Sequence, residues 1–274
     1  MGAAQVQAAI AAGLAHPELL ARWRAQPERL RPHGVDPEAL DLTALWKFAG
    51  LALKVRHNGL RGDLPWTFRL LDVAGREIDV FASYASFRAS GTTPLGDTAE
   101  ARTRDLLVFL EQWLDFDRRD HALLWDMIRH EATVARLGQL AMPASTPTVD
   151  GPAVAPSPSS VPRRRGEAML HVMRSDPRAV ASMLREKAPR LDHVALGTFH
   201  FAYARTTAAP DIHILELDEL GFYLISVVDG RRSVADVSEQ LGAGRRPARA
   251  LVRACEELAA LGVLTFHRAG DLRP

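Results

Sequence analysis

The chain has almost no cysteine. Cys255 is the only one in 274 residues, which excludes an intramolecular disulfide and any zinc cage built on thiolates. An excess of charge is lacking too: 34 Lys and Arg stand against 33 Asp and Glu, a formal net charge of +1. A dedicated nucleic-acid binder usually carries a clear basic surplus, because neutralising phosphate supplies most of its non-specific affinity. No apolar run approaches the roughly 20 residues that span a bilayer. The opening "MGAAQVQAAIAAGLAHPELL" has no basic residue ahead of its apolar ones, so it makes a poor secretory signal. A cytoplasmic location is the default expectation.

Catalytic signatures are missing as well. "GLRG", "LGAGRR" and "DGRR" contain glycines but match neither a P-loop nor a dinucleotide fingerprint. There is no G-x-S-x-G elbow, and no H-E-x-x-H zinc spacing. Ten histidines still invite a metal hypothesis. "DRRDHALLWDMIRHE" sets Asp117 four residues from His121, and Asp126 four from His130, on what reads as one helix face. No Glu-x-x-His repeat on a second helix completes a di-iron box, and a solvated polar face explains the pattern equally simply. Nothing resembles a self-sufficient active site. The chain reads as a non-enzyme, with no metal or cofactor of its own.

What is present is globular: 47% hydrophobic and 24% charged residues suit a packed core rather than disorder. "AMPASTPTVDGPAVAPSPSSVPRRRG", residues 141–166, is dominated by Pro, Ser, Ala and Thr and has no hydrophobic period. It reads as a linker between domains at 1–140 and 167–274. The first domain reads as all-helical. Pro punctuates it at positions 17, 27 and 32, Asp36 is placed to cap a helix, and Asn58-Gly59 reads as that helix's C-cap. Leu106, Phe109, Leu110 and Trp113 fall on one stripe of a later helix.

The second domain mixes strands and helices. "AMLHVM" reads as a strand, and "TFHFAYART" and "DIHILEL" as a hairpin joined by "TAAP". Placing Arg205 opposite Asp211 sets Phe201 against Leu215 and Ala202 against Ile214, and puts His200 and His213 on opposite faces. Apolar residues then lie on both faces, so each face needs a cover. Next, "LDELGFYLISVVDGRRSVADVSEQLGAGRRPARALVRACEELAALGVLTF", residues 217–266, reads as three helices and a closing strand, the shape of a winged helix. Cys255 falls among Leu251, Leu258 and Leu261 and reads as a small buried hydrophobe. Arg246, Arg249 and Arg253 share one face of the third helix. Those arginines suit DNA phosphates, acidic peptide side chains or plain solvent. Residues 167–274 hold 14 Lys and Arg against 14 Asp and Glu, which favours a local peptide contact over a phosphate backbone.

Two resemblances attach to these residues. "LELDELGFYLISVVDGRRSVADVSEQLG" with "LVRACEELAALGVL" resembles the PqqD-type recognition element of ribosomal peptide natural-product pathways. Such elements are three-stranded sheets with three helices that take a precursor peptide's leader as an added strand. By that resemblance Ile212, His213, Ile214 and Leu215, with Arg245, Arg246, Arg249 and Arg253, would bind the leader. Separately, "LWKFAGLALKVRHNGLRGDLPWTFRLL" is similar to partner subunits of multinuclear non-haem iron oxidative enzymes of the methanobactin-cassette type. The "RHNGLR" corner, with Arg56, His57, Asn58, Arg61, Trp66 and Arg69, is then the docking candidate. The implied fold is α+β: an N-terminal helical bundle followed by a C-terminal winged-helix-like, PqqD-like module. The implied function is a non-catalytic partner that binds a leader peptide and presents it to an enzyme, which supplies the iron. The competing expectation is a winged-helix DNA-binding regulator with a helical dimerising or sensing domain.

Overall fold

The computed structural model describes residues 2–56, 58–90, 98–140, 154–206, 209–240 and 245–268. The chain is mixed helix and sheet, helical in its N-terminal part, with small antiparallel sheets further on. It divides into two compact units, residues 1–132 with 180–194, and residues 133–179 with 195–274. The boundaries therefore differ from those expected. They fall inside two helices, and residues 180–194 join the helical unit.

The first unit opens with α1 (Ala3–Ala15) and α2 (Pro17–Ala25), the latter with Pro17 at its first turn, where a missing N–H costs nothing. Two 3-10 turns follow, at Pro27–His33 and Pro37–Ala39, the first closed by Gly34 at φ 72°. The Asp36 side chain accepts the Glu38 N–H at 3.2 Å and so caps only the short second turn. The long helix expected to start there begins at Leu42 and is capped by Asp41, which accepts the Thr43 and Ala44 N–H groups at 3.0 and 2.9 Å. Then come α3 (Leu42–Arg56), α4 (Asn58–Asp63), α5 (Pro65–Val73), α6 (Glu77–Ser90), α7 (Ala99–Trp113) and α8 (Arg119–Gln139). Asn58 and Gly59 open α4 instead of capping α3, and Gly59 is not among the glycines with positive φ.

Two apolar groups organise this unit. Leu20, Trp23, Leu30, Leu45 and Ala49 close the N-terminal helices together. Phe68, Phe81, Tyr84 and Phe109 form a chain of ring contacts, with centroids 5.0 to 6.3 Å apart, through α5, α6 and α7. The α7 stripe is as read: Leu106, Phe109 and Leu110 are buried and Trp113 half-buried. Residues 180–194 belong here because Arg119 donates to the carbonyls of Leu191, Asp192 and Val194. Arg185 lies 4.7 Å over the Trp66 ring.

In the second unit β1 (Ser160–Arg164) pairs antiparallel with a late strand, and β2 (Glu167–Met173) begins a three-stranded sheet. After α9 (Pro177–Leu184) come β3 (Phe199–Thr206), β4 (Ala209–Leu217), α10 (Glu219–Val227), α11 (Val234–Gln240), α12 (Arg245–Ala260) and β5 (Leu264–Arg268). The linker expectation needs correcting at its C-terminal half: residues 160–164 are a strand, paired Val161 to His267 and Pro162 to Phe266. The rest of that stretch, 141–153, lies outside the described residues. Proline tolerates this place because the Phe266 carbonyl turns away from it to accept the Val154 N–H at 3.1 Å.

The sheet runs β2-β3-β4, and the hairpin register is one residue away from the expected one. Arg205 pairs with Ile212, Phe201 with Glu216 and Ala202 with Leu215; an irregularity at Arg205 and Thr206 absorbs the difference. A one-residue slip exchanges faces, and its consequence is a sorting by size. Ala202 and Ala204 share a face with Leu170, Leu215 and Leu217, over a core of Leu224, Ile225, Leu251, Cys255 and Leu258 from α10 and α12. Phe201 and Tyr203 share the other with Met169, Met173, Ile212 and Ile214, covered by Val134 and Leu137 at the end of α8. Small alanines let helices approach one side, while the aromatic side fills the space beneath a single helix.

Candidate peptide-binding edge and docking corner

In the β2-β3-β4 order, the outer edge of β4 pairs with no strand among the described residues. Its apolar side chains alternate between two covered faces. Ile212 and Ile214 pack with Phe201 and Tyr203, and Leu215 and Leu217 with the α10–α12 core, each only half-buried. Asp211, His213 and Glu216 are exposed. An edge strand flanked by apolar side chains on both faces meets the requirement for accepting an extended segment.

Glu216 is not free. Arg178 donates to it at 2.6 Å and to Asp176 at 2.9 Å, and the same guanidinium stands 5.2 Å from the Phe201 ring centroid. The Asp176 hydrogen bond, followed by its charge and by Glu216, raises the Arg178 pKa further. Arg205 plays a comparable part on β3, donating to the carbonyls of Leu137, Gly138 and Leu140 at 2.6, 3.2 and 2.7 Å. It therefore closes the C-terminal turn of α8, where carbonyls lack helical partners. Sequence signalled neither long-range contact, since Glu216 lies 38 residues from Arg178 and the α8 carbonyls 65 to 68 residues from Arg205.

Helix α12 supplies the second half of the expected peptide site. Leu251, Cys255 and Leu258 are buried, as its periodicity requires. Burial, helped by the Glu256 charge, pushes the Cys255 thiol up to about 12, so it acts as a hydrophobe rather than a nucleophile. Arg249 and Arg253 are exposed, and Arg253 pairs with Glu257 at 3.2 Å. Val252 beside them and Leu215 of β4 lean on the same core. Of the expected β4 residues, Leu215 joins the cluster that α12 buries, whereas Ile212 and Ile214 pack on the opposite face of the sheet with Phe201 and Tyr203. The side chains of Arg245 and Arg246 lie outside the described residues.

The turn before α11 consumes arginine that sequence left open. Asp229 accepts the N–H groups of Arg231 and Arg232 at 2.9 and 3.1 Å, around Gly230 at φ 73°. Those backbone donors, more than the charge of Arg232, hold the Asp229 carboxyl down to about 2. The Arg232 side chain donates to Asp229 and to the Val227 carbonyl, both at 2.8 Å, tying the turn to the end of α10. Ser233 and Asp236 then cap α11 reciprocally.

The proposed docking corner is partly committed to structure. Arg61 pairs with the buried Glu77 and stacks 4.7 Å over Phe68. Trp66 is half-buried under Arg185. Its N–H and that of Thr67 donate to the two carboxylate oxygens of Glu131 at 2.8 and 2.7 Å. Glu131 is only 6% exposed, and burial raises its pKa against those two hydrogen bonds. Asn58 is exposed, and so is Arg69, which pairs with Asp72 at 3.2 Å. His57 and the side chain of Arg56 lie outside the described residues.

The histidine readings also change. Asp117 lies ahead of α8, in a turn, so it does not share a helix face with His121. His121 is buried, accepts the Asp115 N–H through Nδ1 at 2.9 Å, and has its pKa lowered by burial. His200 and His213 share a face after all, because His213 pairs with Ala204 and His200 with Leu217. They stand four residues apart along β3, roughly 13 Å, and the His200 ring meets that of Phe222 at a tilt, with centroids 4.9 Å apart. Among the described residues no group of three or more His, Cys, Asp or Glu is arranged to hold a metal. No described helix is long and apolar enough to cross a membrane. Neither protein-family models nor the curated proteins give a match to this chain.

Proposed function

We propose that this chain is a peptide-recognition subunit. It binds the leader of a ribosomally made precursor peptide and presents the rest to an iron-dependent oxidative enzyme in natural-product biosynthesis. In this reading α10, α11, α12 and β5 are the winged-helix part of a PqqD-like element, and the leader adds as a strand to β4. The observation that supports the reading is the β4 edge, which pairs with no strand among the described residues and has half-buried apolar residues on both faces, together with an α12 that exposes Arg249 and Arg253. Main-chain pairing would supply affinity, Leu215 and Ile214 would set register, and the arginines would select acidic side chains. Holding substrate beside another subunit's active site raises its effective concentration there without any chemistry in this chain. Iron belongs to the partner.

The test is hydrogen exchange of the full chain with short peptides encoded beside its gene. Binding is expected to slow exchange in residues 211–217 above all. Arg249→Glu with Arg253→Glu should weaken binding by about 1–3 kcal/mol, as loss and reversal of charge-assisted contacts implies. No protection of β4 by any such peptide refutes the reading. The exposed arginines of the third helix also suit DNA, and random duplex separates the two. A DNA regulator would bind it with affinity falling steeply as salt rises.

A further inference from the structure

Helix α3 carries an exposed apolar stripe that the peptide site does not use. Phe48, Leu51 and Val55 are 56%, 58% and 69% exposed, and Ala44 and Ala52 on the same side are exposed too. Positions 44, 48, 51, 52 and 55 share one face of a helix of 3.6 residues per turn. The opposite face is inside: Leu45 and Ala49 are buried, and a Cβ placed on Gly50 would come within 2.8 Å of Ile78. The helix is therefore seated on its neighbours in the correct orientation, and its outward stripe is not a core face turned the wrong way.

We infer that this stripe docks an amphipathic helix of a second, different polypeptide, one whose apolar face is flanked by acidic residues. Two arguments choose this occupant over a second copy of the chain. The first is charge. Between Leu42 and Arg56 there is no Asp or Glu, and the charged residues are Lys47, Lys54 and Arg56. A two-fold contact would set these positive helices against each other, whereas acidic flanks would complement them. The second is area. Three side chains at these exposures present on the order of 300 Å² of apolar surface, within the range of the largest patch on a typical monomer. A stable symmetric dimer needs roughly 800 Å² from each partner, while a helix laid along a stripe needs far less.

The inference deepens the partner half of the proposed function and rests on it only in expecting a second chain. It moves the docking surface from the Arg61–Trp66 corner, whose side chains are committed internally, to the helix just before it.

The experiment uses the full chain and three labelled three-heptad peptides, read by fluorescence anisotropy. One has a leucine stripe with glutamate flanks, one the same stripe with lysine flanks, and one glutamate flanks with serine replacing the stripe. The glutamate-flanked leucine peptide is expected to bind about tenfold or more tightly than either other peptide. Leu51→Ser with Val55→Ser should abolish that preference while leaving the melting temperature and the hydrogen exchange of β4 unchanged. Equal binding of the three peptides, or binding untouched by the double substitution, overturns the inference. So does a wild-type dimer that the double substitution makes monomeric, since the face then belongs to a second copy. A melting temperature lowered by several degrees also overturns it, because the stripe is then covered within the chain. Failure here with leader protection of β4 intact removes only the docking surface; loss of leader binding with the peptide preference intact removes only the β4 reading.

Discussion

Replacing Glu131 by alanine should destabilise the helical unit by roughly 3 kcal/mol. The α5 helix begins at Pro65, and Leu64 before it offers no side-chain cap. The next two amides, of Trp66 and Thr67, are instead held by the two oxygens of Glu131, 64 and 65 residues further along. Truncation leaves both N–H groups in a site already 6% exposed or less at Glu131 and Thr67. Each orphaned buried donor costs about 1–3 kcal/mol, and loss of the carboxylate from a helix N-terminus adds some tenths. Relief of a buried charge returns part of this, which brings the sum to about 3 kcal/mol. For a unit of this size that lowers the melting temperature by roughly 6–12 °C. Urea unfolding followed by far-ultraviolet circular dichroism measures it. Glu131→Gln keeps one acceptor and should lose about half as much. A Glu131→Ala chain within 0.5 kcal/mol of wild type, or a Gln variant worse than the Ala variant, would refute the capping role.

Two further outcomes follow from the second unit. Asp229 is held at about 2, below the ordinary carboxyl value, so its contribution is present above pH 4 and is lost as pH falls toward 2. The group is largely exposed, so screening leaves about 1 kcal/mol; Asp229→Asn should lose this at neutral pH and flatten the acid limb between pH 4 and 2. The Cys255 thiol, pushed up to about 12 by burial, should resist alkylation in the native chain at pH 8. It should react with one equivalent of reagent only after denaturation; rapid native labelling would contradict its place in the core.

What sequence made legible was periodic or local. The α7 stripe, the buried side of α12 and the β3–β4 hairpin all depend on residues within a few positions of each other. Register was not legible, because "HFAYARTTAAPDIHIL" has apolar residues at both parities and a one-residue slip still buries something on each face. Only the distinction between Ala202 and Phe201 decides it, and that depends on which helix lies where. Strand β1 was hidden by composition: "SVPRR" in a Pro- and Ser-rich stretch becomes a strand only because β5 waits for a partner. Arg61, Arg205 and Glu131 carry no local signal, their partners being 16, 68 and 65 residues away, and Arg178 shows locally only its pairing with Asp176, not the one with Glu216 38 residues on.

An edge strand left open for a ligand must also be kept from pairing with itself, and β4 carries the means. Asp211 and Glu216 stand exposed along it, and a second β4 strand meeting it edge to edge would bring a second pair of carboxylates to the same edge. Arg178 is already shared between Glu216 and Asp176. A foreign strand that sets no carboxylate opposite Asp211 or Glu216 meets no such conflict. The same arrangement that admits the proposed ligand thus opposes the homotypic sheet, and substituting Asp211 and Glu216 by Thr together should raise aggregation in light scattering without unfolding the chain. Unchanged scattering in that double variant would show that the edge is protected by something other than its charges.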